Sequence, residues 1–449
     1  MDLYLKKTLP LGQSRKTDPI MEYRLKNYID AAKITALTAE QTQRLQQAWW
    51  TEDDFVALLA ASSSDFLIAY FLLEQLKKWQ ALELRMAEEG HALYLPLHYA
   101  DFHFPKEIAL PERLRLSRWA YLRADVEEPS ESHALCSYLW LRSSKSLVRY
   151  RCKAEELPLL FTPGDKLNDF QRKIYYILLA EGVLLPAEAP QEAAGAWEFH
   201  DQLFFAESTE DTTLSPTGAR FAPQGSAPTL YKEPMAEEAQ RIALPIVALP
   251  KERRFAEVLH SRRTDRHFSE AALPLPLLAA FLRESMQVQQ EEPSGLSEED
   301  RVSYRPSPSG GARHALECYL RIDRVEGLTP GLYHYLPQHH ALEPLPLSEE
   351  GWKATARLCY PLRTKSDFPP QVCCFYASRL RRISWKYTGI AYRLALLDLG
   401  CLLQTQQLVA TSIGMKSCIF GAVEGEAFAK AFGTDMEQEP FIGELIIGI

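Results

Sequence analysis

Two short segments in the second half of the chain carry residue types that can hold an anion and a flat ring. Ser261 to Phe268 (SRRTDRHF) places Arg262, Arg263, Thr264 and Arg266 within a few residues. Guanidinium forks and a hydroxyl can there converge on one phosphate, in the bidentate manner that arginine favours. Pro306 to His314 (PSPSGGARH) sets Ser307, Ser309, Gly310 and Gly311 beside Arg313. Two adjacent residues without side chains let backbone N–H groups approach the edge of a ring while a cation stands nearby. A solvated basic turn has the same composition as the first segment, so it is the succession of the two that points to a ligand.

A chain of 449 residues, 46% of them hydrophobic, must surround such segments with two to four domains and a substantial core. A formal charge of −9 argues against non-specific nucleic-acid binding, so no nucleic-acid partner is expected. No charged start followed by an apolar run opens the sequence, and the apolar stretch from Arg393 to Ala410 is interrupted by Asp398 and three glutamines. The reading is a soluble, cytoplasmic protein without membrane partner. The eight cysteines, Cys136, Cys152, Cys318, Cys359, Cys373, Cys374, Cys401 and Cys418, form no CxxC pair or zinc-spaced cluster and read as reduced, mostly buried thiols; no metal is expected.

From Pro19 to about Gly90 the spacing predicts helices at Ala39 to Trp50, Asp53 to Ala60 and Phe66 to Met86, the last capped by Ser64 or Asp65. Leu114 to Ala124, Ala134 to Ser143 and Ser146 to Cys152 read as three strands of a meander, followed by helices at Ala154 to Phe161, stopping near Pro163 and Gly164, and at Asn168 to Leu178. This order resembles the winged-helix modules that clamp leader peptides. It gives a mostly helical module over 1–105, read as a degenerate clamp, and a winged-helix-like peptide-binding module over 106–186.

The composition then shifts to Ala, Pro, Glu, Thr, Gly and Ser, which marks 187–240 as a linker. Its aromatic patch from Trp197 to Phe205 is expected to pack on something, because a free linker gains nothing by exposing such side chains. Over 241–449, helices and strands alternate in an α+β domain. Helices are predicted at Arg254 to His260, Pro274 to Ser285, Trp352 to Cys359 and Tyr392 to Ile413, and strands at Ala315 to Ile322, Gly331 to Tyr335, Pro370 to Ser378, Ser417 to Val423 and Phe441 to Ile447.

SRRTDRHF, PSPSGGARHALECY, the GLTPGLYHY hairpin running into HHALEPL, WKYTGIAYRLALLDLG and GMKSCIFGAVEGEAFAKAFG together resemble the nitroreductase-type flavoproteins, specifically their azoline dehydrogenase branch of the cyanobactin, microcin and streptolysin kinds. WEFHDQLFF in the linker extends the likeness toward about Arg113. The resemblance implies FMN as cofactor, with Arg262, Arg263, Thr264 and Arg266 at its phosphate and ribityl chain. Ser307, Ser309, Gly310, Gly311 and Arg313 fall in the isoalloxazine and phosphate loop. Ile419, Phe420, Gly421 and Ala422 form a strand-turn whose amides face the hydride-accepting nitrogen. Lys386 and Tyr387 match the catalytic pair. An azoline-containing precursor peptide, a cyclodehydratase partner, molecular oxygen as acceptor and a homodimer are further implications.

Making an azole from an azoline removes a hydride from one ring carbon and a proton from its neighbour, so a base must stand opposite the flavin. Lys386 or Tyr387 can serve, and the sequence does not choose. Adjacent helical residues point about a hundred degrees apart, so both reach one substrate only at an irregular turn, which Gly389 allows. His314, His334, His339 and His340 read as satisfied or exposed histidines without a carboxylate partner in sequence, and Arg381, Arg382 and Arg393 as solvated charge. Cys401 stands where many relatives have His, and no basic tail follows the last strand. The same residues suit two other readings: an NAD(P)H-dependent nitro or quinone reductase, and a non-catalytic peptide-binding subunit.

Overall fold

The computed structural model describes residues 21–25, 37–60, 66–78, 82–88, 91–100, 102–124, 138–161, 167–190, 196–209, 217–219, 225–248, 253–359 and 368–449. The expected cap at Ser64 or Asp65, the stop at Pro163 and Gly164, the start of the strand before residue 138 and Cys136 lie outside them. The chain divides into two compact units, Met1–Gly218 and Ala219–Ile449.

The first unit is built on a seven-stranded sheet in the order Trp50–Thr51, Met21–Leu25, Leu82–Glu88, His91–Leu95, Ser146–Lys153, Tyr138–Ser143, Ala120–Ala124. One face of its strands shares a single core with helical residues such as Phe55, Leu73, Leu76, Ile174 and Leu178. The other alternate positions pair across strands, Arg24 with Glu83 at 2.6 Å and Arg85 with Glu22 at 2.7 Å. Both guanidiniums lie over Trp49, at 4.4 and 4.3 Å.

Two expectations change here. The helix expected over Phe66 to Met86 ends at Lys78, and Leu82–Glu88 is a strand. Leu82, Leu84 and Met86 are buried in alternation with Glu83 and Arg85, a period of two that the adjoining helical pattern masked. The boundary expected near residue 105 is crossed by one sheet and one core, with Leu93 opposite Tyr150. The aromatic patch of the linker forms the helix Phe199–Glu207, which docks on the sheet through Phe199 against Tyr121 and Glu207 against Arg142.

The second unit holds a seven-stranded antiparallel sheet in the order Ile242–Ala243, Ala341–Pro344, Gly331–Leu336, Leu316–Ile322, Val372–Ser378, Phe441–Gly448, Lys416–Phe420. Every residue of the four longest strands, Leu316–Ile322, Gly331–Leu336, Val372–Ser378 and Phe441–Gly448, is buried. Alternate side chains feed two cores. Cys318, Leu320, Cys374 and Leu445 meet the helices Leu275–Met286 and Ala391–Ser412 on one face, whereas Tyr319, Phe375 and Ile446 meet Phe428 and Phe432 of the helix Gly425–Phe432 on the other. A sheet covered on both faces needs continuous apolar strands, which is why they are legible in sequence. Gly443 seats the long helix, since a Cβ there would lie 2.7 Å from Leu399 Cδ2. The helix Gly425–Phe432 was not expected. Residues 225–240, read as the end of the linker, are part of this unit. Lys232 pairs with Glu439 at 2.6 Å, and Glu343 accepts the N–H groups of Met235 and Ala236.

Candidate functional site

The glycine loop is shaped by the long helix. Asp398 accepts a hydrogen bond from Ser309 Oγ at 2.6 Å and from Gly310 N at 2.9 Å, and Ser309 Oγ accepts one from His314 N at 2.9 Å. Burial pushes the Asp398 carboxyl above the usual range while these two hydrogen bonds oppose it. Gly311, Ala312 and His314 all have positive φ, at 61°, 53° and 44°. Two of them are not glycine, a strained backbone that the surrounding bonds must hold.

Lys386 and Tyr387 follow the short helix Leu380–Ser384 in an irregular turn that ends where the long helix begins at Ala391. Gly389, at φ 71°, provides the break. Both side chains therefore reach one point, as no regular helix would allow. A Cβ built on Gly311 would stand 2.6 Å from Tyr387 Oη and 2.7 Å from Lys386 Nζ. Any other residue at position 311 would displace the pair. Burial, reinforced by Arg313, pushes the Lys386 amine below its ordinary range, with Asp300 opposing. Burial, reinforced by Asp398, pushes the Tyr387 phenol above its own. Both shifts act against charge at this point: the amine is moved toward its neutral form and the phenol is held away from phenolate.

The arginine turn lies along the edge strand Lys416–Phe420. Asp265 N donates to Ser417 O at 3.0 Å and Lys416 Nζ to His267 O at 2.6 Å. Arg266 lies 5.8 Å from the Phe420 ring, beside the Cys418 thiol, and Arg262 Nη1 reaches Gln407 Oε1 at 3.3 Å. Arg263 and Thr264 are exposed, as are Gly421 and Ala422 at the end of the strand, while Ile419 and Phe420 are half-buried. The turn and the glycine loop meet the same helix but not at one point. Their contacts, Gln407 and Asp398, are nine residues apart, about 14 Å along the axis. Ser307 is buried and lines a small cavity with Arg305, His314 and Asp398.

Several sequence readings are corrected by burial. Arg313, placed by the resemblance among ring and phosphate contacts, is 0% exposed and bonded to Asp300 and to the Arg382 carbonyl. Its charge has partners inside the protein and does not face an open anion site. Arg382, read as solvated, is 1% exposed. His314 is buried and held down to about 3, by burial first and then by Arg305 and Arg382, which removes it as a proton acceptor. His334, read as lacking a carboxylate, has two: Glu317 at 2.9 Å and Glu343 at 2.7 Å. These partners lie on neighbouring strands, where only strand register brings them opposite. The roles of Asp300 and Asp398 were likewise missed, since neither stands in a motif. Among the described residues no cluster of His, Cys, Asp and Glu could hold a metal ion.

Residues 259–449 match the model of the nitroreductase family. The chain is similar to the trifolitoxin-processing protein TfxB of Rhizobium leguminosarum bv. trifolii, with 30% identity over 110 residues, 24% of this chain and 30% of that protein. It is also similar to the microcin B17-processing protein McbC of Escherichia coli, with 30% identity over 139 residues, 29% of this chain and 49% of that protein. The matched stretches thus span about a third and about half of these two relatives. Among solved structures, the E. coli microcin synthetase McbBCD complex with truncated pro-MccB17 bound is 22% identical, covers 49% of this chain and 78% of that one, and has a TM-score of 0.34. Over residues 259–449, then, the chain is similar to the nitroreductase family.

Proposed function

We propose that this chain is an FMN-dependent azoline dehydrogenase, an oxidoreductase that converts thiazolines or oxazolines to thiazoles or oxazoles in a ribosomally made precursor peptide, with molecular oxygen taking the two electrons. The observation that carries the reading is the meeting of Lys386 Nζ and Tyr387 Oη over Gly311, within the stretch similar to the nitroreductase family. A reductase of small molecules has no need of an amine held ready to accept a proton. The similarity to TfxB and McbC, both peptide-processing proteins by name, supports a peptide substrate.

The residues present fit FMN. Arg262, Arg263 and Arg266 offer guanidiniums around Thr264 on an edge turn, where a phosphate can be held by several charged hydrogen bonds. The bare Cα of Gly311 lets Lys386 and Tyr387 close onto the glycine loop, where a ring held by that loop would meet them. When bound, the flavin would accept the hydride from the azoline ring. Lys386 would take the neighbouring proton, and Tyr387, protonated, would orient the substrate by hydrogen bonding. Ser309 and Gly310, tied to Asp398, would hold the loop against the ring, and the amides of Gly421 and Ala422, beyond Ile419 and Phe420, would face its accepting edge. The N-terminal unit would bind the precursor peptide, a cyclodehydratase would supply the azoline, and two copies of the chain would form the working dimer.

The test is an anaerobic visible spectrum of FMN-reconstituted protein before and after addition of azoline-containing peptide, with NADPH as a parallel challenge. Bleaching by the peptide with little response to NADPH is expected. Rapid bleaching by NADPH alone would make the protein a nitro or quinone reductase, and failure to take up FMN would make it a peptide-binding subunit.

A further inference from the structure

The glycine loop and the Lys386–Tyr387 turn are far apart in sequence and are joined by a buried ionic latch. Arg313 and Arg382 each donate Nε to the other's main-chain carbonyl, at 3.2 and 3.0 Å. Asp300 accepts from Arg313 Nη1 at 2.6 Å and pairs with Arg382 Nη1 at 3.5 Å. All three side chains are 0–1% exposed. Arg382 uses the rest of its fork on the carbonyls of Pro228 and Arg301, at 3.0 and 2.7 Å. The Arg313 guanidinium lies 5.1 Å from the ring of Trp385, the residue before Lys386.

We infer that Arg313 and Arg382, bridged by Asp300, are positioning residues for Lys386 and Tyr387, fixing their turn against Gly311, with Arg313 setting a buried positive charge beside the amine. The inference rests on the reading of Lys386 as proton acceptor. Apolar packing would join two loops at least as well as a buried ionic cluster, whose desolvation is costly. The cluster supplies what apolar packing cannot: a buried cation, Arg313, whose field disfavours a second cation at Lys386. Among the described residues, the charged groups acting on the turn are Arg313 from the glycine loop, Asp300 from the segment before the strand Arg301–Tyr304, and Asp398 from the long helix. Asp398 acts on Tyr387 and is already bonded to Ser309 and Gly310. Burial lowers Lys386 most, Arg313 next, and Asp300 works against both. Arg313 and Asp300 therefore act on Lys386 with opposite sign, which mere cohesion would not produce.

The test reads Lys386 itself, in full-length protein without flavin or peptide. Trace acetylation with acetic anhydride across roughly pH 7 to 11 brackets the ordinary lysine titration, and mass spectrometry gives the midpoint for the Lys386 peptide with exposed Lys353 as internal reference. Arg313→Met is expected to move the Lys386 midpoint to higher pH, Asp300→Asn to move it to lower pH, and Arg313→Lys to hold it near wild type, with Lys353 unmoved throughout. Shifts of the same sign in the first two variants, an unmoved midpoint in a folded Arg313→Met, or a shift in Arg313→Lys equal to that in the methionine variant would each overturn the inference. Should circular dichroism show Arg313→Met unfolded, the direction in Asp300→Asn and the constancy of Arg313→Lys decide. Full activity of Lys386→Ala would instead remove the functional reading and leave these titrations as they are.

Discussion

Arg262, Arg263 and Arg266 stand on a turn along the edge strand Lys416–Phe420, half-buried or exposed, whereas Arg313 and Arg382 lie without exposure behind the glycine loop. Both groups come from segments rich in cations and small residues, and they do opposite work. In the turn, Arg262 reaches the neutral Gln407, and Arg266 rests on Phe420 and the Cys418 thiol. The latch arginines meet a carboxylate and four carbonyl contacts. An arginine whose partners are inside the chain holds the structure; one without an internal carboxylate is available to a ligand's anion.

The comparison breaks most visibly at the chemistry the latch supports. Lys386→Ala is expected to lower azole formation by about a hundred- to ten-thousand-fold, read as turnover of an azoline peptide at saturating FMN, with flavin still bound. Turnover within a few-fold of wild type would remove Lys386 as base. Arg313→Met should next cost up to about 3–5 kcal/mol of unfolding free energy, because it removes the closer partner of the buried Asp300 and leaves it Arg382 at 3.5 Å. Denaturant titration of the apoprotein checks this, and a loss as small as that of a surface substitution would mean that the latch is not structural.

A third buried charge sharpens the contrast. His334 is held protonated between Glu317 and Glu343; burial opposes this, but the two carboxylates raise it to about 9. Its folded value lies above its unfolded one, so its contribution is complete below the ordinary histidine range and disappears as pH rises through about 9. Unfolding free energy should fall over that interval by up to about 3 kcal/mol, and His334→Gln should flatten the dependence. A pH-independent wild type would contradict it. The smallest effect belongs to the open turn. Arg262→Ala should weaken FMN by about ten- to a hundred-fold, the loss of one charged hydrogen bond, while the melting temperature of the apoprotein stays put. An equal loss of apoprotein stability would erase the difference between the two groups.

Much of the second unit was legible because its strands are buried on both faces. VCCFYAS and FIGELIIG are apolar throughout or nearly so, and no polar rhythm competes with them. The first unit was less so. Its strands alternate, and in Leu82–Glu88 a two-residue rhythm follows a helix closely enough to be absorbed by it. Lys386, Tyr387 and Gly311 could be named from the sequence because they stand in motifs, and the fold brings the three together. Asp300 and Asp398 were not, because an acidic residue carries no local sign of what it will face after folding.

By itself the sequence determined the residue types available to the site: a cluster of arginines on a turn, adjacent glycines in a second segment, and a Lys-Tyr pair before a break at Gly389. Only the tertiary structure decided which arginines would be buried against a carboxylate, and how burial and neighbouring charges would shift each member of the pair. Those questions turn on desolvation and on charges brought near from distant segments: Asp300 beside Arg313, Asp398 beside Tyr387, Gly311 beneath both side chains. Local spacing can specify a turn, but the energy of a charge is set by everything that surrounds it after the chain has folded.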